Sequence, residues 1–191
     1  MKILFVSSGN LNLKENPIVL NQASSLEKYQ GIKVDHYFIQ GKGIIGYLKN
    51  IPKLKKTIKA YNPDIIHAHY SFSGMIAALS SNKPVITSLM GSDINKPFYL
   101  IAAIKFFSLF VWSCTIVKSE YMKKKIRLPK SHVIPNGVDI EYFKPIERQN
   151  AQYKVGFRDE IKNILCIGDP DRYEKNAELA YAAVEILNKS F

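Results

Sequence analysis

The stretch Val133–Pro145, V-I-P-N-G-V-D-I-E-Y-F-K-P, sets the organisation of this 191-residue chain. A short apolar run stops at Pro135, and Asn136-Gly137 then supplies two residues that tolerate a positive φ, so we predict that the backbone turns there. Pro145 fixes its own φ and moves the preceding residue out of the helical region. These features are typical of a joint between two α/β units, although an ordinary strand-to-loop turn explains the same residues.

The composition is that of a globular protein, with 47% hydrophobic and 23% charged residues. The length suits one full domain and part of a second, which we place at residues 1–145 and 146–191. Cys114 and Cys166 both lie in apolar runs, so we expect two small buried side chains and no disulfide framework. Without an N-terminal signal, the sequence favours a cytoplasmic location.

The formal net charge of +11 favours a polyanionic partner, either nucleic acid, an acidic membrane face or a phosphorylated substrate. Lysines cluster in Lys42–Lys59 and Lys118–Lys130, and the first cluster alternates with apolar residues at helical spacing. That pattern predicts a basic helix from Ile44 to Tyr61, which Pro52 ends or kinks. The helix either packs on the core or contacts the inner membrane face. No nucleic-acid partner is expected, because the chain lacks an aromatic platform and a known base-recognition motif.

Apolar runs of strand length and stretches with helical spacing alternate through the first 134 residues. This alternation predicts a Rossmann-like parallel sheet with helices on both faces. The predicted strands are Lys2–Ser7, Val34–Gln40, Asp64–His69, Val85–Leu89, Cys114–Lys118 and His132–Ile134. Ligands bind such sheets beyond the carboxyl ends of the strands. The candidate residues at that edge are Gly9, Asn10, His69, Gly91 and Asp93. Since Gly9 is the only glycine in its loop, no G-x-G-x-x-G fingerprint for a nicotinamide or flavin is present.

The most apolar segment is Phe98–Val117, in which Lys105 is the only charge. We predict a buried or interfacial helix at Phe98–Phe110 and keep a membrane span as the alternative. Ser119–Arg127 is predicted as a short basic helix with Ser119 as its N-cap. After Pro145 we predict a polar linker that starts at Glu147 and ends near Ile161. A strand at Asn163–Ile167 and a helix at Ala177–Leu187 would then begin a second, incomplete α/β unit.

Five stretches in this order resemble glycosyltransferase family 4: D-I-I-H-A-H-Y, P-V-I-T-S-L-M-G-S-D, I-V-K-S-E-Y-M-K-K-K, V-I-P-N-G-V-D-I-E-Y-F-K-P and I-L-C-I-G-D-P-D-R-Y-E-K-N. The resemblance runs from Met1 to about Leu187. It implies the GT-B architecture of two lobes, of which this chain has the N-terminal, acceptor-side lobe and the first β-α unit of a truncated donor-side lobe. It also implies a retaining enzyme that uses a nucleotide sugar.

The resemblance assigns roles to residues of the first lobe. Gly9 matches a glycine that approaches the donor phosphates. Met90 stands where members of the family commonly have a histidine at the reaction centre, and methionine cannot transfer a proton. Asp93 is therefore the remaining catalytic candidate on this loop. The implied substrate-binding residues are Gly9, Asn10, His69, Gly91 and Asn136, whereas His67 is predicted to pack in the core.

In the donor-side lobe the resemblance implies an arginine and a lysine on the donor diphosphate. Lys175 matches the lysine, and Arg172 takes the place of an arginine whose usual position is Asp169. Two cations stabilise a leaving diphosphate without a metal, so neither a metal nor another cofactor is expected. Asp169-Pro170-Asp171 has the spacing of a metal-binding D-x-D motif, but its place after a strand favours a turn.

Two functions remain open at this stage. The first is a retaining glycosyltransferase that moves a sugar to a cell-envelope or polysaccharide acceptor, glycan or lipid-linked. Because the family's base and ribose contacts lie beyond the E-K-N loop, this chain is expected to be inactive unless a donor-side lobe or a second polypeptide completes it. The second is a non-catalytic lobe that binds a glycan, a membrane or a partner chain.

Overall fold

The computed structural model describes residues 1–10, 16–157, 163–166, 170–171 and 175–190. The chain forms two compact units, Met1–Val138 and Asp139–Phe191. The division falls inside the stretch Val133–Pro145.

The first unit is built on one sheet of six parallel strands, as predicted from the alternating pattern. The strands are β1 (Lys2–Ser8), β2 (Lys33–Ile39), β3 (Ile65–His69), β4 (Val85–Ser88), β5 (Cys114–Val117) and β6 (His132–Val133). Their order across the sheet is β2-β1-β3-β4-β5-β6. Phe5 in β1 pairs with His36 in β2 and with His67 in β3. Paired residues point to the same face of a sheet, so the register determines which side chains meet.

Helices cover both faces, but unequally. They are α1 (Pro17–Glu27), α2 (Gly43–Leu48), α3 (Ile51–Tyr61), α4 (Ser71–Ser80), α5 (Phe98–Phe110) and α6 (Glu120–Ile126), with a 3-10 turn at Gly91–Asn95. Val19 and Ala23 of α1 pack with Ile3 and Phe5 on one face. The larger core lies on the opposite face, where the buried residues of α2 to α6 pack against Leu4, Val6 and their neighbours. The predicted Rossmann-like α/β class is thus confirmed.

Several helix ends follow from local sequence. Ser119 is the N-cap of α6, and its Oγ accepts a hydrogen bond from the Met122 N–H at 3.2 Å, which confirms the predicted cap. Asn16 caps α1 by accepting from the Ile18 N–H at 3.0 Å. The bounds of α5 are those predicted. Among the described residues, no helix is both long and apolar enough to cross a membrane.

The basic segment forms two helices instead of the predicted single one. Asn50, buried between α2 and α3, donates from Nδ2 to the Gln40 carbonyl at 2.8 Å and the Gly46 carbonyl at 2.7 Å. Pro52 follows in the first turn of α3, where its missing N–H leaves no bond unmade. Because the chain breaks between α2 and α3, the apolar sides of the two helices differ in burial. Leu54 and Ile58 of α3 are buried. In α2 only Tyr47 is buried. Three other apolar residues of this helix are exposed, at 52% for Ile44, 70% for Ile45 and 43% for Leu48.

The predicted turn at Asn136-Gly137 is wrong. Neither residue has a positive φ, and neither lies in a turn or bend. The chain turns later, at Asp139, whose Oδ1 accepts from the Glu141 N–H at 3.0 Å and the Tyr142 N–H at 3.2 Å. A carboxylate that satisfies the turn's own backbone donors makes a positive φ unnecessary.

The second unit also departs from the predictions. The predicted linker from Glu147 contains α7 (Arg148–Val155), which ends at Gly156 with φ +71°. Because α7 has no buried residue, it shows no apolar period from which it could be predicted. Asn163–Cys166 forms no strand, and Ile167 lies outside the described residues. The predicted helix near the C-terminus is confirmed as α8 (Ala177–Ser190).

Both cysteines are less buried than predicted. Cys114 is half-buried, Cys166 is exposed, and both are free thiols. Cys114 pairs with Ile86, which pairs with His67, so it lies on the face that carries Phe5 and α1. That face is the less covered one. Cys166 lies in the segment that forms no strand and therefore has no sheet to bury it.

Candidate functional site

The carboxyl ends of β1 and β2 are held together by their loops. Asn10 donates from Nδ2 to the Gly41 carbonyl at 2.7 Å, and its Oδ1 accepts from the Gly41 N–H at 2.9 Å. The Gly9 N–H donates to the Ile39 carbonyl at 2.8 Å. A Cβ on Gly9 would lie 2.5 Å from Gln40 Nε2 and 2.9 Å from the Phe38 Cβ. Close packing therefore accounts for the glycine, and the Asn10 amide is used within the fold. Their predicted contacts with substrate stay predictions.

Asp93 is fully buried in the 3-10 turn after β4 and connects two segments. Its Oδ1 accepts from the Ser71 Oγ at 2.5 Å and the Ser71 N–H at 3.3 Å, and its Oδ2 accepts from the Met90 N–H at 2.6 Å. Burial raises the pKa of this carboxyl, while the hydrogen bonds from Ser71 and Met90 and the charge of Lys96 oppose that rise. Asp93 thus joins the start of α4 to the loop after β4, and its exposed fraction is 0%.

The loop that Asp93 holds presents Gly91 to solvent. No atom lies within 4 Å of the position that a Cβ on Gly91 would occupy. Met90 is half-buried and packs against the cluster around Phe5. A ligand could therefore approach the backbone of Gly91, whereas the Met90 side chain faces the sheet. The loop thus has an open backbone position at Gly91, while its carboxylate, Asp93, is buried.

His67 and His69 lie side by side on β3, with ring centroids 4.5 Å apart and stacked. His67 Nε2 is 2.9 Å from the Ser88 Oγ. Burial, with a smaller contribution from the Lys118 charge, lowers the pKa of His67 to about 4. Burial, followed by the charges of His67, Lys118 and His36, lowers the pKa of His69 to about 2. Both imidazoles of the folded protein are therefore uncharged at pH 7.

His69 was predicted to bind substrate, and the structure buries it to an exposed fraction of 2%. Among the described residues, neither of its ring nitrogens has a hydrogen-bond partner, nor does the neighbouring Ser7 Oγ. His69 also lies against Phe5, with ring centroids 4.9 Å apart. His67, which was predicted to pack in the core, is buried, with an exposed fraction of 6%.

Sequence reasoning missed Tyr70, which follows β3 directly. Its φ of +90° is rare for a side chain with a Cβ, and such strain concentrates at functional sites. The centroid of its ring lies 5.6 Å from that of Phe72, and the Lys96 Nζ lies 5.3 Å from the Tyr70 centroid. Tyr47 belongs to the same aromatic group, since its ring centroid lies 5.6 Å from that of Phe72. The string H-Y-S-F at a predicted strand end was the one available signal for this group.

The remaining candidates are exposed or outside the described residues. Asn136 is exposed in the first unit, and Lys175 is exposed in the second. Arg172 and Asp169 lie outside the described residues, while Pro170 and Asp171 lie in a turn. No group of three or more His, Cys, Asp or Glu side chains in the described part of the chain could hold a metal ion.

A parallel α/β sheet with polar loops at its carboxyl edge defines a lobe of the Rossmann-like class, and in folds of this class ligands bind at that edge. The family model of Glycosyltransferase Family 4 matches residues 16–142. The chain belongs to this family, since the match covers more than half of its length. Comparison with curated proteins finds no match.

Solved structures show the same fold at low sequence identity. HepE from Anabaena, solved in complex with UDP, is 18% identical with a TM-score of 0.58, and the match covers 82% of this chain and 50% of HepE. Sucrose-phosphate synthase from Thermosynechococcus elongatus is 14% identical with a TM-score of 0.59, and the match covers 82% of this chain and 53% of the synthase. UDP-GlcNAc 2-epimerase from Neisseria meningitidis, bound to UDP-GlcNAc, is 17% identical with a TM-score of 0.53. The match covers 71% of this chain and 46% of the epimerase. This chain spans about half the length of these proteins.

Proposed function

We propose that this chain contributes the acceptor-side lobe of a retaining glycosyltransferase, which moves a sugar from a nucleotide-sugar donor to a cell-envelope or polysaccharide acceptor. The observation that carries the proposal is the family match over residues 16–142, on a parallel sheet whose carboxyl edge bears polar loops. A structure of HepE in complex with UDP-glucose supports a uridine-diphosphate sugar as the donor class.

In this proposal the donor diphosphate is bound by Lys175 and Arg172, and no metal is required. Two fixed cations neutralise the charge that develops on a leaving diphosphate. Lys175 is exposed and thus accessible to a ligand. The acceptor would lie along the carboxyl edge, where Gly91 is open to solvent and the strained Tyr70 is close to Lys96.

The contacts of Asp93 favour a positioning role over direct catalysis. Its carboxylate accepts three hydrogen bonds from Ser71 and Met90 and has no exposed surface. We assign it the task of holding the Gly91 loop against the start of α4. Asp93→Asn would therefore raise KM for the acceptor more than it lowers kcat, whereas a proton-transferring Asp93 would lose kcat and show a changed pH profile.

Calorimetric titration of UDP and UDP-glucose into the chain, alone and completed by a donor-side lobe, tests the donor assignment. A hydrogen bond to a charged group is worth about 1.5–3 kcal/mol, so Lys175→Ala should weaken diphosphate binding by roughly 10- to 150-fold. Lys154→Ala is the matched control, because Lys154 is also an exposed lysine of the second unit. Equal affinities of the two variants would remove Lys175 from the donor site.

A non-catalytic binding lobe is the second candidate. It is favoured by Met90 at the place of the family's usual histidine, together with the buried and fully engaged Asp93. This candidate predicts binding of a glycan without binding of any nucleotide diphosphate. Saturable binding of UDP by the chain would decide against it.

A further inference from the structure

The helix α5 is apolar on its outer side as well as its inner side. Ile104 is buried, and Phe107 packs against the core. On the outer side Phe98 is 85% exposed and Phe110 is 75% exposed. The helix contains no acidic residue and one basic residue, Lys105. Contiguous exposed apolar surface of this kind marks an interaction site.

A row of residues spaced by four runs along the outer side of α5. It consists of Phe98, Ala102, Phe106 and Phe110. Rows with this spacing are the ridges through which two helices pack. The rings of Phe106 and Phe110 lie 5.5 Å apart, whereas the exposed Ala102 leaves a gap between Phe98 and Phe106. The row is therefore a ridge of large side chains with one small residue near its middle.

This row is complementary to itself when two copies of α5 lie antiparallel. A two-fold axis makes each contact occur twice, so that residue i meets residue j and residue j meets residue i. With the axis at the middle of the row, Phe98 lies opposite Phe110 of the second copy. Phe106 then lies opposite Ala102 of the second copy, where the small side chain leaves room for the ring. The pattern of large and small residues thus fits a second copy of the same helix.

The outer side of α5 is also large enough for a stable pair. Its four exposed aromatic residues are Phe98, Tyr99, Phe106 and Phe110. They are between 56% and 85% exposed, and at about 200 Å² for an aromatic side chain they offer about 550 Å² in each copy. Leu109, which is 46% exposed, shares this side of the helix and adds to the area. A specific interface buries about 600–1,000 Å² of each partner, so the helix reaches the lower end of that range.

The charges on this side favour a second copy over a charged partner. With no acidic residue on α5, the helix offers a basic partner no ion pair, and its one cation, Lys105, is half-buried. Aromatic residues are enriched in the cores of protein interfaces and charged residues are depleted there. Two chains with a net charge of +11 repel each other, but salt screens exposed charges beyond about 8–10 Å. Pairing through α5 should therefore become stronger as salt is added.

We propose that the chain forms a two-fold homodimer in which the outer side of α5 packs antiparallel on α5 of a second copy. The inference goes beyond sugar transfer and does not rest on it, since the oligomeric state is measured without a donor or an acceptor.

Sedimentation equilibrium of the purified chain tests the proposal. We expect the mass to rise from 21.7 kDa toward twice that value between about 1 µM and about 100 µM chain, and the dimer fraction to increase with salt. Phe106→Glu and Ala102→Lys each place a charge at the centre of the interface and should weaken the dimer by about 30-fold or more. Tyr153→Glu and Ala182→Lys are the matched controls, because they introduce the same charges at exposed positions of α7 and α8.

A mixture of the two interface variants tests the pairing of Phe106 with Ala102. In the mixed dimer the introduced lysine of one copy lies opposite the introduced glutamate of the other, and the second Phe106–Ala102 contact is unchanged. The mixture should therefore form a dimer about tenfold or more tighter than either variant forms alone. Circular dichroism and the fluorescence of the buried Trp112 check that each variant is folded.

Four results would overturn the proposal. The first is a chain that stays monomeric up to about 100 µM, whether or not vesicles or another protein bind α5. The second is a dimer that Phe106→Glu and Ala102→Lys leave unchanged, since another surface would then form the contact. The third is a dimer that dissociates as salt is added, and the fourth is a mixture of the two folded variants that pairs no better than each variant alone.

Discussion

The two stacked histidines should make the stability of this protein fall in mild acid. The folded-state pKa values of His67 and His69, about 4 and about 2, lie below the 6.5 of an unfolded histidine. A depressed folded pKa contributes stability that is complete above the unfolded pKa and is lost as the pH falls toward the folded value. At about pH 5 each unfolded histidine binds a proton that the buried one does not, which costs about 2 kcal/mol per residue.

Urea unfolding at about pH 8 and about pH 5 measures this effect, with the emission of Trp112 as the signal. Trp112 is the one tryptophan of the chain and is 6% exposed. His69→Leu removes one titrating group and two buried nitrogens without partners among the described residues. The loss of stability between the two pH values should therefore be about 2 kcal/mol smaller in this variant than in the original protein.

The comparison between proteins cancels the other titrating groups. Asp93 acts with the opposite sign, because burial raises its pKa, but it is present in both proteins. If His69→Leu lost as much stability as the original protein between the two pH values, the argument that His69 is buried and neutral would fail.

Two further predictions concern the packing around the sheet. Asn50→Ala should lower the free energy of unfolding by about 2–4 kcal/mol, since it leaves the Gln40 and Gly46 carbonyls without their donor; an urea midpoint within experimental error of the original would refute this. Gly74→Ala should destabilise by about 1–3 kcal/mol, because its Cβ would lie 2.4 Å from the Thr87 Oγ1. The same change at Gly91, where the Cβ meets no atom within 4 Å, should leave the thermal midpoint unchanged, and equal effects at both glycines would contradict the steric explanation.

The sequence by itself determined the features that depend on neighbours along the chain. Alternating apolar runs and helical periods predicted the six strands and the helices α5, α6 and α8, since these patterns act over a few residues. The Ser119 cap and the bounds of α5 follow from equally local signals. The five ordered motifs gave the family, which the match over residues 16–142 confirms.

Only the tertiary structure decided which side chains of the candidate site are accessible. Asp93 and His69 occupy predicted positions at the carboxyl edge, yet both are buried by segments distant in sequence. The backbone strain at Tyr70 and the exposed outer side of α5 likewise have no local signature. The physical reason is that burial depends on the order of strands and on which helices cover each face. Those contacts join residues that are tens of positions apart, and a local pattern carries no record of them.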